Sequence, residues 1–129
     1  MSVMCERLGI EIPIIQAPMG GAVGPALAAA VSNAGGLGTL ALWGADVDTL
    51  RRQVRETQAL TSKPFAVNLN LEFPQEERLE VCLREGVPII SFFWREPSAL
   101  VERVKKSWRR SSSYGEYSQG GSPSCGVRC

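Results

Sequence analysis

Apolar runs of strand length alternate along the chain with stretches whose apolar residues recur every three or four positions. Pro13-Ile14-Ile15-Gln16-Ala17 is the first run, closed by Pro18 and the Gly20-Gly21 pair as a buried strand would be. Gly24-Pro25 then opens Ala26-Leu27-Ala28-Ala29-Ala30-Val31, a helix by its proline start and its alanines, stopped by Asn33 and Gly35-Gly36. Leu37–Trp43 is a second apolar run. Asp46 or Asp48 can cap a helix carrying Val47, Leu50 and Val54 on one face and Arg51, Arg52, Arg55 and Glu56 on the other. Lys63-Pro64 ends it, and Phe65-Ala66-Val67-Asn68-Leu69-Asn70 forms a third strand. Pro74 starts a helix through Leu79, Val81, Cys82 and Leu83, ended by Gly86. Pro88–Trp94 makes a fourth strand, and Pro97 starts a last helix through Leu100, Val101 and Val104 to Lys106.

Four strand–helix units in regular alternation, with strands apolar at most positions, predict an α/β fold with a parallel sheet buried on both faces. A doubly wound sheet and part of an eight-stranded barrel both satisfy the pattern, and spacing does not choose between them.

Composition changes the picture in two places. Among 129 residues, 14 Lys+Arg stand against 13 Asp+Glu, a net charge of +1, which gives no electrostatic reason to expect nucleic acid or an anionic membrane as partner. The count of His is 0, which excludes Ser-His-Asp and Cys-His nucleophile pairs, an imidazole base and histidine-ligated metal. The second change falls at Lys106. Residues 1–106 hold all 12 alanines, whereas residues 107–129 hold seven Ser and four Gly and neither Ala, Leu nor Ile. The expected organisation is therefore a folded stretch over 1–106 and an irregular tail over 107–129. That tail reads as disordered, or as an out-of-frame translation of GC-rich coding DNA.

No charged residue occurs between Glu11 and Asp46, yet three prolines and the glycines from Gly20 to Gly44 break this stretch into pieces too short to span a membrane. The start Met1-Ser2-Val3-Met4-Cys5-Glu6-Arg7 lacks the pattern of a signal peptide, and Cys5 and Cys82 read as reduced thiols, so the expected location is the cytoplasm. Cys125 and Cys129 lack a second ligand pair, and no metal site is expected.

The residues able to carry chemistry are few. Gly20-Gly21-Ala22-Val23-Gly24 lies between strand and helix, but it is neither a dinucleotide fingerprint nor a P-loop, and tight-turn glycine explains it better. Asn68 and Asn70 are polar positions inside an apolar strand and point to one face, at the carboxyl end where parallel sheets bind ligands. Gln16, Met19 and Ser91 take comparable end-of-strand positions. Asp46, Asp48, Glu76 and Glu77 belong to helix starts, where they complement the helix dipole.

Leu8-Gly9-Ile10, Pro13-Ile14-Ile15-Gln16-Ala17-Pro18-Met19, Ala34-Gly35-Gly36-Leu37-Gly38-Thr39-Leu40 and Val67-Asn68-Leu69, in this order, resemble landmarks of the nitronate monooxygenases (2-nitropropane dioxygenases) over residues 8–106. The resemblance implies the N-terminal half of a TIM barrel holding FMN. It also implies oxidation of alkyl nitronates by O2 to carbonyl compounds and nitrite. Carried over, Ala17, Pro18 and Met19 would line the flavin and Asn68 would hydrogen-bond it. The flavin-dependent enoyl-acyl-carrier-protein reductases share the Gly-Gly-Leu-Gly block but usually have a glycine pair where this chain has Ala17-Pro18, and rank second. The family's catalytic histidine, in a Gly-Gly-His block, has no counterpart here, so no catalytic residue is assigned and the chain alone is expected to be inactive. A non-catalytic half-barrel that self-associates through open strand edges is the alternative.

Overall fold

In a computed structural model, which describes residues 2–110, five helices and three strands follow one another as α1 (Val3–Leu8), α2 (Pro25–Asn33), β1 (Gly38–Ala41), α3 (Val47–Leu60), β2 (Phe65–Asn70), α4 (Glu76–Arg84), β3 (Ile89–Phe93) and α5 (Ser98–Arg110). The strands form one parallel sheet in the order β1-β2-β3. The register sets Thr39 beside Ala66 and Ala66 beside Ile89, then Ala41 beside Asn68 and Asn68 beside Ser91, then Asn70 beside Phe93.

Local chemistry accounts for most element boundaries. Asp46 caps α3 by accepting from the Thr49 N–H and hydroxyl, both at 2.8 Å. Pro25 occupies the first turn of α2, where its missing N–H leaves no donor unpaired. The Glu96 carboxylate accepts from the Ser98 N–H at 2.9 Å and from its hydroxyl, starting α5. That helix continues to Arg110, four residues beyond the expected stop at Lys106. The remainder of the expected tail, residues 111–129, lies outside the described residues.

One expected strand is corrected. Residues 13–17 form a single parallel bridge, Ile15 to Leu37, in place of a strand. Two hydrogen bonds at 2.9 Å hold it, from the Gln16 N–H to the Leu37 carbonyl and from the Leu37 N–H to the Ile14 carbonyl. A strand is stabilised by its ladder, and this segment has a neighbour on one side only, with Ile14 and Ile15 half exposed. One helix was not expected: α1, which Ser2 caps by accepting from the Cys5 N–H at 3.2 Å and which Gly9 ends at φ 68°.

Alternation along the strands sorts the side chains into two faces. Leu40, Val67, Leu69 and Ile90 meet Leu50, Val54, Leu79 and Val104 from the helices, and none of the eight has measurable exposure. Burial at about 2 kcal/mol per such side chain makes this helix-side core the main source of stability. The opposite face carries a smaller apolar cluster at its amino end, where Cys5 and Ile10 cover Leu37, Ala66 and Ile89. The α1 segment thus closes the amino end of that face and leaves its carboxyl end to other residues.

The crossover from α2 into β1 is unusually close. A β-carbon at Gly38 would stand 1.9 Å from the Ala28 carbonyl oxygen, so only glycine lets the strand lie against the helix backbone there. The Ser32 hydroxyl, buried at the same contact, accepts from the Gly38 N–H at 3.1 Å.

Candidate functional site

The carboxyl half of the second face is polar, although it is buried. Thr39, Asn68 and Asn70 are 3%, 5% and 5% exposed. Asn68 donates from Nδ2 to the Ser91 hydroxyl at 2.8 Å, across the register pair that joins β2 to β3. Gln16 reaches in from the bridge and donates from Nε2 to the Thr39 carbonyl at 3.4 Å. The other ends of these groups are unanswered: Gln16 Oε1, Thr39 Oγ1 and Asn68 Oδ1 are buried and have no hydrogen-bond partner. Buried polar atoms in folded proteins are nearly always paired, so these three oxygens on one sheet face, like Gln75 Oε1 in the loop after β2, stand out as hydrogen-bonding capacity left unused among the described residues. The layer offers hydrogen bonding and shape rather than acid–base chemistry, because Gln16, Thr39, Asn68, Asn70 and Ser91 do not titrate.

Above this layer, the loops at the carboxyl ends of the strands are tied together. Gln75, 1% exposed, donates from Nε2 to the Trp43 carbonyl at 3.1 Å and to the Asn70 carbonyl at 3.0 Å, bridging the loops after β1 and β2. Arg78 adds a bond from Nε to the Ala45 carbonyl at 2.7 Å. The rings of Trp43 and Phe73 stack at 5.5 Å and 8° between planes. The Leu71 N–H donates to the Phe93 carbonyl at 3.0 Å and extends the tie to β3. A cleft of about 430 Å³ opens beside this rim, between the Gly20–Gly24 turn and Ala41–Ala45, with Gln53 of α3 on its wall.

Sequence reasoning placed Asn68 and Asn70 together on one buried face, and there they are. It assigned Ala17, Pro18 and Met19 to the flavin; these residues lie exposed on the segment leading to α2, with Met19 at 44%, and Gln16 just before them is the side chain that enters the sheet layer. Thr39 and Gln75 were missed. Thr39 passes for an ordinary strand residue, and Gln75, between Pro74 and Glu76-Glu77, passes for the polar start of a helix. The Cys82 thiol, buried in α4 on the helix side, is pushed up to about 12 by desolvation and has the character of core filling rather than of a nucleophile.

The family model for nitronate monooxygenase matches residues 1–81. The chain belongs to the nitronate monooxygenase family. It is 44% identical over 104 residues to the nitronate monooxygenase of Pseudomonas aeruginosa, covering 78% of this chain and 30% of that protein. It is also 37% identical over 105 residues to the (3aS,4S,5R,7aS)-5-hydroxy-7a-methyl-1-oxo-octahydro-1H-indene-4-carboxyl-CoA dehydrogenase of Mycobacterium tuberculosis, covering 81% of this chain and 30% of that protein. The structure of FabK from Thermotoga maritima superposes with a TM-score of 0.77 at 37% identity, over 81% of this chain and 34% of FabK. The chain thus spans about a third of the length of these relatives, and its parallel β/α units are part of a (β/α)8 barrel. In such a barrel the sheet face bearing Asn68 is the inward one and the tied loops stand at the carboxyl mouth, the end at which barrel enzymes place their sites. Among the described residues of this nitronate monooxygenase relative, no group of metal-binding side chains occurs and no helix is long and apolar enough to cross a membrane.

Proposed function

We propose that this chain supplies the flavin face of an FMN-dependent oxidoreductase that converts alkyl nitronates and O2 to carbonyl compounds and nitrite. The observation that carries the reading is the set of orphaned acceptors, Gln16 Oε1, Thr39 Oγ1 and Asn68 Oδ1, buried on the inward face of a chain in this family. A flavin ring system is compatible with that set: it is planar and largely apolar, its one ring N–H can donate to an amide oxygen of Asn68 or Gln16, and its carbonyl oxygens can accept from the Thr39 hydroxyl. When bound, FMN supplies the redox chemistry. The protein's own contribution is to hold the ring edge through Asn68, Thr39 and Gln16, to flank it with Ala17, Pro18 and Met19, and to exclude water. With no histidine in the sequence, the chain has no imidazole to act as general base. Loss of such a base lowers turnover by about two to four orders of magnitude, so this polypeptide by itself binds cofactor without sustaining the reaction. We place it in the cytoplasm, in keeping with its buried free thiols Cys5 and Cys82. We further assign self-association to the exposed edge formed by Ile12, Ile14 and Ile15, testable by sedimentation velocity of the wild type against Ile14→Lys/Ile15→Glu.

The deciding experiment titrates the chain with FMN, followed by flavin absorbance and fluorescence, beside Asn68→Leu. The substitution removes the orphaned Oδ1 together with the hydrogen bond from Nδ2 to the Ser91 hydroxyl, two opposing effects of about 1 kcal/mol each, so stability should change little while FMN affinity falls at least about tenfold. Equal FMN binding by the two proteins, or no binding by the wild type, overturns the assignment. Oxidation of NAD(P)H in the presence of an enoyl thioester, without response to nitronates, would replace it with the reductase reading.

A further inference from the structure

At the carboxyl end of β3 two consecutive residues other than glycine adopt left-handed backbone, Trp94 at φ 59° and Arg95 at φ 48°. Side chains as large as these resist that conformation, and non-glycine residues held there cluster at ligand clamps. The turn gains nothing from burial, since Trp94 is 63% exposed. Its position suits a recognition role. Phe93, the last residue of β3, pairs in register with Asn70 and shares the inward face with Ser91, and the Trp94 ring leans on Phe93 at 6.2 Å and 43°. Phe93 and Trp94 therefore form an apolar wall at the mouth, one register step beyond Asn68. Arg95 is exposed beside it and has no ion-pair partner among the described residues. The adjacent carboxylate, Glu96, is engaged in capping α5 through Ser98. The other cation of this rim, Arg78, is committed to the Ala45 and Pro74 carbonyls.

We propose that the Trp94–Arg95 turn is the substrate-recognition element of the site: Arg95 receives the anionic oxygens of the nitronate, and Trp94 with Phe93 packs its alkyl chain. The inference rests on the proposed nitronate chemistry and adds the residues that would select an anion with an apolar tail. A guanidinium donates two parallel N–H bonds to a planar dioxygen anion, which a nitronate is and a neutral nitroalkane is not.

The test is isothermal titration calorimetry of the full chain, with and without FMN, using butane-1-nitronate and the matched neutral 1-nitrobutane. The wild type should bind the nitronate saturably and at least tenfold more tightly than nitrobutane. Arg95→Gln should weaken nitronate at least tenfold and leave nitrobutane unchanged, Arg95→Lys should restore part of the loss, and Trp94→Ala should weaken both ligands. Arg95→Gly relaxes the left-handed backbone, so it should raise the melting temperature while still losing nitronate, a separation that a purely structural arginine would not produce. Arg7→Gln, at another unpaired arginine in α1, should bind as the wild type does. Nitronate binding unchanged in Arg95→Gln, or absent from the wild type both with and without FMN, overturns the proposal. Because the flavin-free titration stands apart from the FMN titration, failure of the cofactor assignment and failure of this turn are read separately.

Discussion

Replacing Gly38 with alanine tests how the strand–helix crossover is built. The new β-carbon would sit 1.9 Å from the Ala28 carbonyl oxygen, 2.6 Å from its carbonyl carbon and 2.9 Å from its Cα. All three are backbone atoms of α2, so no side-chain rotation relieves the clash, and the helix has to withdraw by about 1 Å or more to restore van der Waals contact. Withdrawal loosens Ala28, Ala29 and Ser32, each 2% exposed or less, and stretches the bond from the Gly38 N–H to the Ser32 hydroxyl. Overpacking of this kind costs about 1–3 kcal/mol and a weakened buried hydrogen bond about 1 kcal/mol more. The lower chain entropy of alanine in the unfolded state returns about 0.5 kcal/mol, leaving a net loss of about 3 kcal/mol. With a urea m-value of about 1.5 kcal/mol/M, the midpoint should fall by about 2 M, followed by tryptophan fluorescence and far-ultraviolet circular dichroism together. Gly44→Ala is the matched control: its β-carbon would meet nothing within 4 Å, and its midpoint should shift by less than about 0.5 M. A Gly38→Ala midpoint equal to that of the wild type would refute the close-approach argument.

Two further substitutions probe the ties between elements. Gln75→Leu leaves the Trp43 and Asn70 carbonyls without their buried donor and should lower unfolding free energy by about 2 kcal/mol in urea titrations; Gln75→Glu should be worse at neutral pH and recover in part on acidification, because its protonated form donates one hydrogen bond in place of two. Glu85 joins α3 to the end of α4, its carboxylate meeting Arg55 at 2.8 Å and Arg51 at 3.3 Å, and the Arg55 hydrogen bond with both positive charges lowers its pKa. A depressed carboxylate stabilises the fold above its unfolded value and loses that contribution as pH falls through the folded one. The melting-temperature gap between wild type and Glu85→Gln should therefore be open at pH 7 and narrow as the pH falls below the ordinary glutamate range of about 4; a gap that stays constant on acidification would show that the pair contributes nothing through charge.

What could be read in advance, and what could not, follows from how local each determinant is. The span of β2 was legible because Lys63-Pro64 ends the preceding helix and the run Phe65–Asn70 is interrupted only by Asn68, whose two-residue spacing to Asn70 put both on one face. Asp46 was legible as a cap for the same local reason. Residues 13–17 have equally good strand composition, but pairing decides a strand, and pairing belongs to the neighbours. The α1 helix escaped notice because a six-residue element with one buried side chain, Cys5, has no apolar period to detect; the Ser2 and Gly9 caps were its only signal. Left-handed backbone at Trp94 and Arg95 has no signal at all, since the residues that normally announce it are glycine and asparagine.

The two faces of the sheet obey different logics, and the contrast bears on the functional reading. On the helix side, the buried strand positions are apolar throughout, as stability alone demands. On the inward side, Thr39 and Asn68 are buried just as deeply among strands that could have carried valine or leucine. Each oxygen left without a donor costs about 1–3 kcal/mol, so three of them offset a substantial part of a marginal folding free energy. Such a debt is incurred where a group outside the chain completes the hydrogen bonds. The tie from Gln75 and the left-handed turn at Trp94 and Arg95 lie at the carboxyl ends of the same strands, the end toward which Asn68 and Asn70 stand. Packing for stability alone calls for none of these features, whereas preorganisation of a ligand site calls for rigid rims and polar groups held ready for an outside partner.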